Sequence, residues 1–214
     1  MADEIKIGNL EISLLKVGSY DCEAYLGDVK VYPSVKTIVV TKFNVTSTSS
    51  PTQLCYNSAV SQFSRIEIND VVQPSVVSAY TFSTTGEHTV KYTLKDPTSI
   101  GNSAFYNCSN LTTCTIGSGV TSIGDSALRG CTSLTSIVIP NSVTSIGTYA
   151  FQGCSGLTSI TCNATTAPTI QSSTFQDIKT DGTLYVPIGS SGYDVWMGTG
   201  DYYLGKYNWT KVEQ

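Results

Sequence analysis

Residues 121–139 read TSIGDSALRGCTSLTSIVI, and the pattern of this segment recurs on both sides of it. Its first four residues, TSIG, also stand at 98–101 and at 144–147, which is a period of 23 residues. The apolar positions that follow keep the same period. They are Ala104, Ala127 and Ala150; Phe105, Leu128 and Phe151; Cys108, Cys131 and Cys154; and Leu111, Leu134 and Leu157. Repeats of this length indicate a chain built from stacked units.

A period of about 20–29 residues is typical of solenoids. Within LTSIVI, Leu134, Ile137 and Ile139 are predicted to point inward and the residues between them outward, which makes one short strand per coil. TSIG is expected to turn the chain, and the Ala-Phe-x-x-Cys segment to return it as a short helix, giving α/β coils. Because one coil cannot bury its apolar face alone, neighbouring coils should stack at about the 4.8 Å strand spacing. We expect four coils over residues 97–187.

These units resemble the BspA-like leucine-rich repeats of bacterial surface proteins. The resemblance rests on the TSIG, Ala-aromatic, Cys and Leu-Thr elements, which recur three times at the family spacing within residues 97–187. The repeat departs from the family pattern at Leu128, where Phe is usual, and at Cys114 and Cys162, which occupy aliphatic positions. The resemblance implies surface display, adhesion and binding of host proteins, and it transfers no catalytic residue.

A small β module is predicted for residues 1–33. Gly8, Gly18 and Gly27 recur every 9 or 10 residues between short alternating runs, which indicates a meander with glycine turns. The module is too small to be stable alone, so it should pack on a neighbour or on another copy of itself. It also resembles segments of prophage structural proteins.

Residues 34–96 are predicted to form a small antiparallel β-sandwich, because short strands recur every 8–12 residues. Asn69 and Asp70 should form the turn between two of these strands. The closing run GEHTVKYTL is similar to the last strand of immunoglobulin-like modules in bacterial surface proteins. We expect this sandwich to abut the solenoid and to cap its N-terminal end.

The tail, residues 188–214, is rich in aromatic side chains. It holds both tryptophans, Trp196 and Trp209, and four tyrosines, which are Tyr193, Tyr202, Tyr203 and Tyr207. The favoured interpretation is a C-terminal cap over the open end of the solenoid. The alternative is an aromatic binding patch, for example for carbohydrate.

The seven cysteines and the single histidine indicate no chemical site. No C-x-x-C pair offers zinc ligands, and His88 is the one possible base for a cysteine nucleophile. Cys108, Cys131 and Cys154 lie at the repeat period, so we expect them to stack in line as buried, reduced thiols. The sequence therefore predicts no catalytic residue, no metal site and no cofactor.

The charge and the hydropathy pattern exclude two classes of partner. The net charge is −4, so the basic footprint of a nucleic-acid-binding protein is missing. No apolar run approaches the roughly 18 residues that a membrane span needs. The first ten residues, MADEIKIGNL, lack the basic and apolar regions of a secretory signal.

The mainly β chain is thus predicted to be a non-enzymatic module that binds a protein, at an extracellular or cell-surface location. The partner would be a protein of the host extracellular matrix or of the cell envelope. The alternative is a structural or receptor-binding component of a prophage particle. The candidate binding face consists of the outward residues of the coil strands. These are Thr113, Thr115, Ser136, Val138, Ser159 and Thr161.

Overall fold

The computed structural model describes residues 38–214 throughout and, before them, the backbone of four strands. The chain divides into two compact units, Met1–Lys36 and Thr37–Gln214. The strands of the first unit are β1 (Glu4–Ile7), β2 (Leu10–Leu15), β3 (Glu23–Leu26) and β4 (Val29–Val31). They form one antiparallel sheet in chain order. The turn glycines expected at 8, 18 and 27, and Cys22, lie outside the described residues.

The second unit contains fifteen further strands and two short 3-10 helices, at Asn57–Gln62 and Leu204–Tyr207. The strands are β5 (Ile38–Val45), β6 (Thr52–Gln53), β7 (Phe63–Ile68), β8 (Val71–Val72), β9 (Ala79–Tyr80), β10 (Gly86–Leu94), β11 (Ser99–Ile100), β12 (Leu111–Ile116), β13 (Ser122–Ile123), β14 (Ser136–Ile139), β15 (Ser145–Ile146), β16 (Ser159–Cys162), β17 (Thr169–Ile170), β18 (Thr183–Val186) and β19 (Thr210–Glu213). Among the described residues there is no α-helix.

A β-solenoid of about five turns occupies the C-terminal part of this unit. The longer coil strands β12, β14, β16 and β18 lie side by side in parallel, and β19 extends the same sheet. The tail therefore adds a parallel strand beyond the four predicted coils. The TSIG segments do more than turn the chain, because their strands β11, β13 and β15 form a second parallel sheet, which β17 of the degenerate fourth unit extends.

The helical return expected for the Ala-Phe-x-x-Cys segments is wrong, because these segments are turns. Their alternate amide groups bond to the next coil: the Phe105 amide donates to the Ala127 carbonyl at 2.7 Å, and the Leu128 amide donates to the Ala150 carbonyl at 2.9 Å. An N–H committed to a neighbouring coil cannot close the bond to residue i−4 that an α-helix requires. The coils are therefore all-β rather than α/β.

One continuous core fills the second unit. The repeated apolar positions predicted from the period are buried in every coil, including Phe105, Leu128 and Phe151. In the degenerate fourth unit, Phe175 stacks on Phe151 with ring centroids 5.8 Å apart. Thr174 takes the alanine position there, and its buried hydroxyl lies within hydrogen-bond distance of the Gln171 and Gly147 carbonyls, at 2.8 and 3.0 Å. Either bond satisfies a polar group that would otherwise be costly to bury.

The segment before the coils continues the coil sheet. β5 pairs antiparallel with β12 on one side and with β10 on the other, so the strand order is β19-β18-β16-β14-β12-β5-β10-β7-β8. The hairpin predicted at Asn69 and Asp70 is present, with φ values of 49° and 64° between β7 and β8. β5 thus covers the first edge of the parallel sheet. The immunoglobulin-like resemblance and the domain boundary at residue 96 stay predictions.

Candidate protein-binding face

The six residues predicted for the binding face form two parallel rows on one side of the nine-stranded sheet. The strand register places Thr113, Ser136 and Ser159 side by side in one row. It places Thr115, Val138 and Thr161 side by side in the second. Thr115 and Val138 are exposed and the other four are half-buried, and Val138 is 42% exposed although it is a large apolar side chain. The structure therefore brings all six residues together.

The face extends beyond these six residues toward the C-terminus. In the second row, Thr161 pairs with Tyr185 on β18, and Tyr185 pairs with Val212 on β19. Tyr185 is half-buried and Val212 is 37% exposed. We name the row of Thr115, Val138, Thr161, Tyr185 and Val212 the apolar row. The outward position of Tyr185 could have been predicted from the alternation in LYV at 184–186. The position of Val212 could not, because its strand lies outside the repeat.

Toward the N-terminus the face becomes charged, but the charges are paired. β5 contributes Val40 beside Thr115 and Lys42 beside Thr113. Lys42 Nζ lies 2.8 Å from Glu87 Oε1, and Lys91 forms an ion pair with Asp70. Exposed ion pairs of this kind contribute little to stability. Because the opposite charges offset each other, they create no strong electrostatic field of one sign over the coil half of the face.

Buried side chains beneath the face and hydrogen bonds between neighbouring coils hold the face in place. The residues that alternate with the two rows, such as Ile137 and Ile160, are buried in the core. At the start of the coil strands, the Thr135 hydroxyl donates to the Thr112 carbonyl at 3.3 Å, and the Thr158 hydroxyl donates to the Thr135 carbonyl at 3.0 Å. A surface held in this way needs little ordering when it meets a partner, which favours binding.

A second surface, on the return turns of the coils, was not predicted. Arg129 lies over the rings of Tyr106 and Tyr149, with its guanidinium carbon 5.7 and 5.3 Å from the two ring centroids. The ring of Tyr56 meets that of Tyr106 edge-on at 5.1 Å. We name these four residues the tyrosine strip. Tyr106 and Arg129 occupy equivalent positions one period apart, so their neighbouring positions on adjacent coils could have been predicted from the repeat.

The cysteines within residues 38–214 belong to the core rather than to the surface. The six described cysteines are free and buried. Burial raises the pKa of Cys114 and of Cys154 to about 12, so their nucleophilic thiolate form is suppressed at neutral pH. The Cys131 thiol donates to the Phe105 carbonyl, with Sγ 3.1 Å from the oxygen, and the Cys154 thiol donates to the Leu128 carbonyl at 3.2 Å.

His88 is held in the fold. Its Nδ1 lies 2.9 Å from the Asn69 side-chain nitrogen, and its Nε2 lies 2.9 Å from the Thr84 carbonyl oxygen. Its ring packs against that of Phe82 at a tilt of 34°, with centroids 4.2 Å apart. Within residues 38–214 and the four N-terminal strands, no cluster of three or more His, Cys, Asp or Glu side chains could hold a metal ion.

The aromatic tail lies largely inside the fold. Trp196 and Tyr193 are buried, and the Trp196 ring lies 5.3 Å from that of Phe175 in the last coil. The Trp196 indole donates to the Pro168 carbonyl at 3.0 Å, and the Trp209 indole donates to the Lys179 carbonyl at 2.7 Å. A carbohydrate-stacking ring must be exposed, so this geometry supports the cap interpretation rather than the binding patch.

The comparison with protein families matched a model described as "BspA type Leucine rich repeat region", with six copies over residues 75–189. This region covers just over half of the chain and begins before residue 97, where the 23-residue period starts. No curated protein and no solved structure gave a match. In the part of the chain that the structure describes, no helix has the length and apolar character needed to cross a bilayer.

Proposed function

This chain belongs to the family of BspA-type leucine-rich repeat proteins, and we propose that it is a non-enzymatic module that binds another protein at a bacterial surface. The family is generally non-enzymatic and typically surface-associated, which is consistent with a role in protein binding. The partner would be a protein of the host extracellular matrix or of the cell envelope.

The observation that carries this proposal is the apolar row on the outer face of the coil sheet. It crosses five adjacent parallel strands and includes two exposed valines and a tyrosine. A continuous row across adjacent strands suits contact with an extended protein surface, whereas a small ligand is bound best in a concave pocket with a few fixed polar groups. Tyrosine is also enriched at the centres of protein interfaces.

The test is a charge substitution at the centre of this face. In the double variant Ser136→Lys and Val138→Lys, two ammonium groups would be desolvated on contact with a partner, so affinity should fall by at least about tenfold. The partner is isolated by pull-down from host matrix or from the native envelope, and its affinity is measured by biolayer interferometry. The matched control is Ser133→Lys with Ser155→Lys, which adds the same charge in exposed turns of neighbouring coils.

Equal affinity for the face variant and the wild-type chain, with both folded, would exclude the outer face. The variant Arg129→Ala would then test the tyrosine strip, because removing the guanidinium takes away its central contact. Wild-type affinity should depend weakly on salt, since the coil half of the face has no excess charge.

A second candidate function is a structural or receptor-binding component of a phage particle. The observation that favours it is the separate N-terminal unit, which would serve for attachment while the coils bind. Immunogold labelling of the native host distinguishes the two candidates. Label on the cell envelope supports the surface module, whereas label on released particles supports the particle component.

A further inference from the structure

The register of the N-terminal sheet separates its residues into two faces of different character. The pairs Ile5–Ile12, Ile12–Leu26 and Leu26–Val29 run across all four strands at one level of the sheet. Because side chains alternate along a strand, these pairs fix which residues share each face. One face has nine residues, and all of them are apolar. They are Ile5, Ile7, Leu10, Ile12, Leu14, Ala24, Leu26, Val29 and Val31.

The opposite face has the composition of a surface that faces water. Its residues are Glu4, Lys6, Glu11, Ser13, Leu15, Glu23, Tyr25 and Lys30. Opposite charges sit across from each other at Lys6 and Glu11. An antiparallel sheet with one apolar and one polar face is typical of a sheet that is covered on one side only.

The apolar face needs a cover. The unit spans 36 residues, below the size at which a domain usually folds without a metal, a disulfide or association. A meander of four short strands has a single layer, and a layer with one apolar face becomes stable by packing that face against another layer.

We propose that a second copy of this chain covers the face, so that two N-terminal sheets pack against each other in a symmetric dimer. The second copy presents a face of the same size, again without a polar side chain. At roughly 60–120 Å² of apolar surface per buried side chain, two such faces remove on the order of 1,100–2,200 Å² from water. Specific, stable protein interfaces bury about 1,200–2,000 Å².

A twofold pairing also closes on itself. A face that meets an identical face forms an isologous contact, which ends at two copies and leaves neither of the two N-terminal apolar faces open to a third. The dimer would present two solenoids, so binding to a surface that repeats the partner would gain from avidity. This consequence rests on the proposed function, whereas the dimer itself does not.

The first test measures the molar mass of the full chain by sedimentation equilibrium at about 1–100 µM, with reductant present so that thiols cannot cross-link copies. The wild-type chain should have twice the mass of one chain. Ile12→Glu places a charge in the middle of the apolar face and should weaken association by at least about 100-fold. Ser13→Lys, at the neighbouring position on the opposite face, lies across from Glu4 and should leave the dimer intact.

The second measurement keeps the test valid if Ile12→Glu unfolds the sheet. Hydrogen exchange of the wild-type chain is followed over the same concentrations. Because the dimer obeys mass action, protection of strands β1 to β4 should rise with concentration, while protection within residues 38–214 should not.

Three results would overturn the proposal. A monomer at about 100 µM with protected strands would mean that the cover comes from the same chain, and unprotected strands would mean that nothing covers the face. A dimer that persists in Ile12→Glu with undiminished association would place the interface elsewhere.

Discussion

At the scale of single residues, the repeated cysteine combines small volume with a hydrogen bond between coils. The thiols of Cys131 and Cys154 each donate to a carbonyl one coil back, which an alanine or valine could not do. Cys131→Ala should lower the free energy of unfolding by about 1–2 kcal/mol, because it removes one buried sulfur and that bond. Cys131→Asp should cost far more, since it buries an unpaired charge. Urea unfolding measures both, and equal midpoints for the two variants would contradict this account.

Buried thiols also make stability depend on pH. Burial raises the pKa of Cys114 and Cys154 to about 12, whereas thiols of the unfolded chain ionise at about 8.5–9. Above about pH 9 the thiols of the unfolded chain lose their protons, which stabilises the unfolded state, whereas the buried thiols keep theirs. The contribution of these thiols to the free energy of unfolding is therefore complete below about pH 9 and is lost as pH rises toward 12. Urea midpoints at pH 7.5 and 10.5 should show this fall, and Cys154→Ala should show a smaller one. An equal fall in the variant would exclude Cys154 as a source.

At the scale of elements, we propose that the tail caps the solenoid. Trp196 closes the last coil by covering Phe175 and bonding to the Pro168 carbonyl. Trp196→Ala should therefore destabilise the chain by about 3–5 kcal/mol, the range for large aromatic residues in cores. Tyr202→Ala, at an exposed tail position, should cost less than about 0.5 kcal/mol. Thermal unfolding followed by circular dichroism compares them, and an unchanged Trp196→Ala midpoint would show that the tail is not a cap.

The elements also show what the sequence could and could not predict. The coil strands and both rows of the candidate face could be predicted, because a 2-residue alternation repeats every 23 residues. The return turns could not, since whether the Phe105 amide bonds within its own coil or to the next depends on stacking rather than on local propensity. The antiparallel pairing of β5 with β12 is equally non-local, as it joins residues about 70 positions apart.

At the scale of the whole molecule, the coils display two surfaces that could meet a partner. The apolar row lies on the strand side and the tyrosine strip on the return turns. The strip has the residue types most often found in binding hot spots, tyrosine and arginine. The outer face has greater continuity, because it runs across every strand of the coil sheet. We therefore expect the partner to bind the outer face.

Hydroxyl-radical footprinting with and without the isolated partner shows which of the two surfaces the partner covers. The account predicts that oxidation of Val138, Tyr185 and Val212 falls when the partner is bound, while oxidation of Tyr56 and Tyr149 does not change. These two tyrosines are exposed on the strip and so serve as internal controls. Protection of the two tyrosines with unchanged oxidation along the apolar row would contradict the account and would assign binding to the return turns.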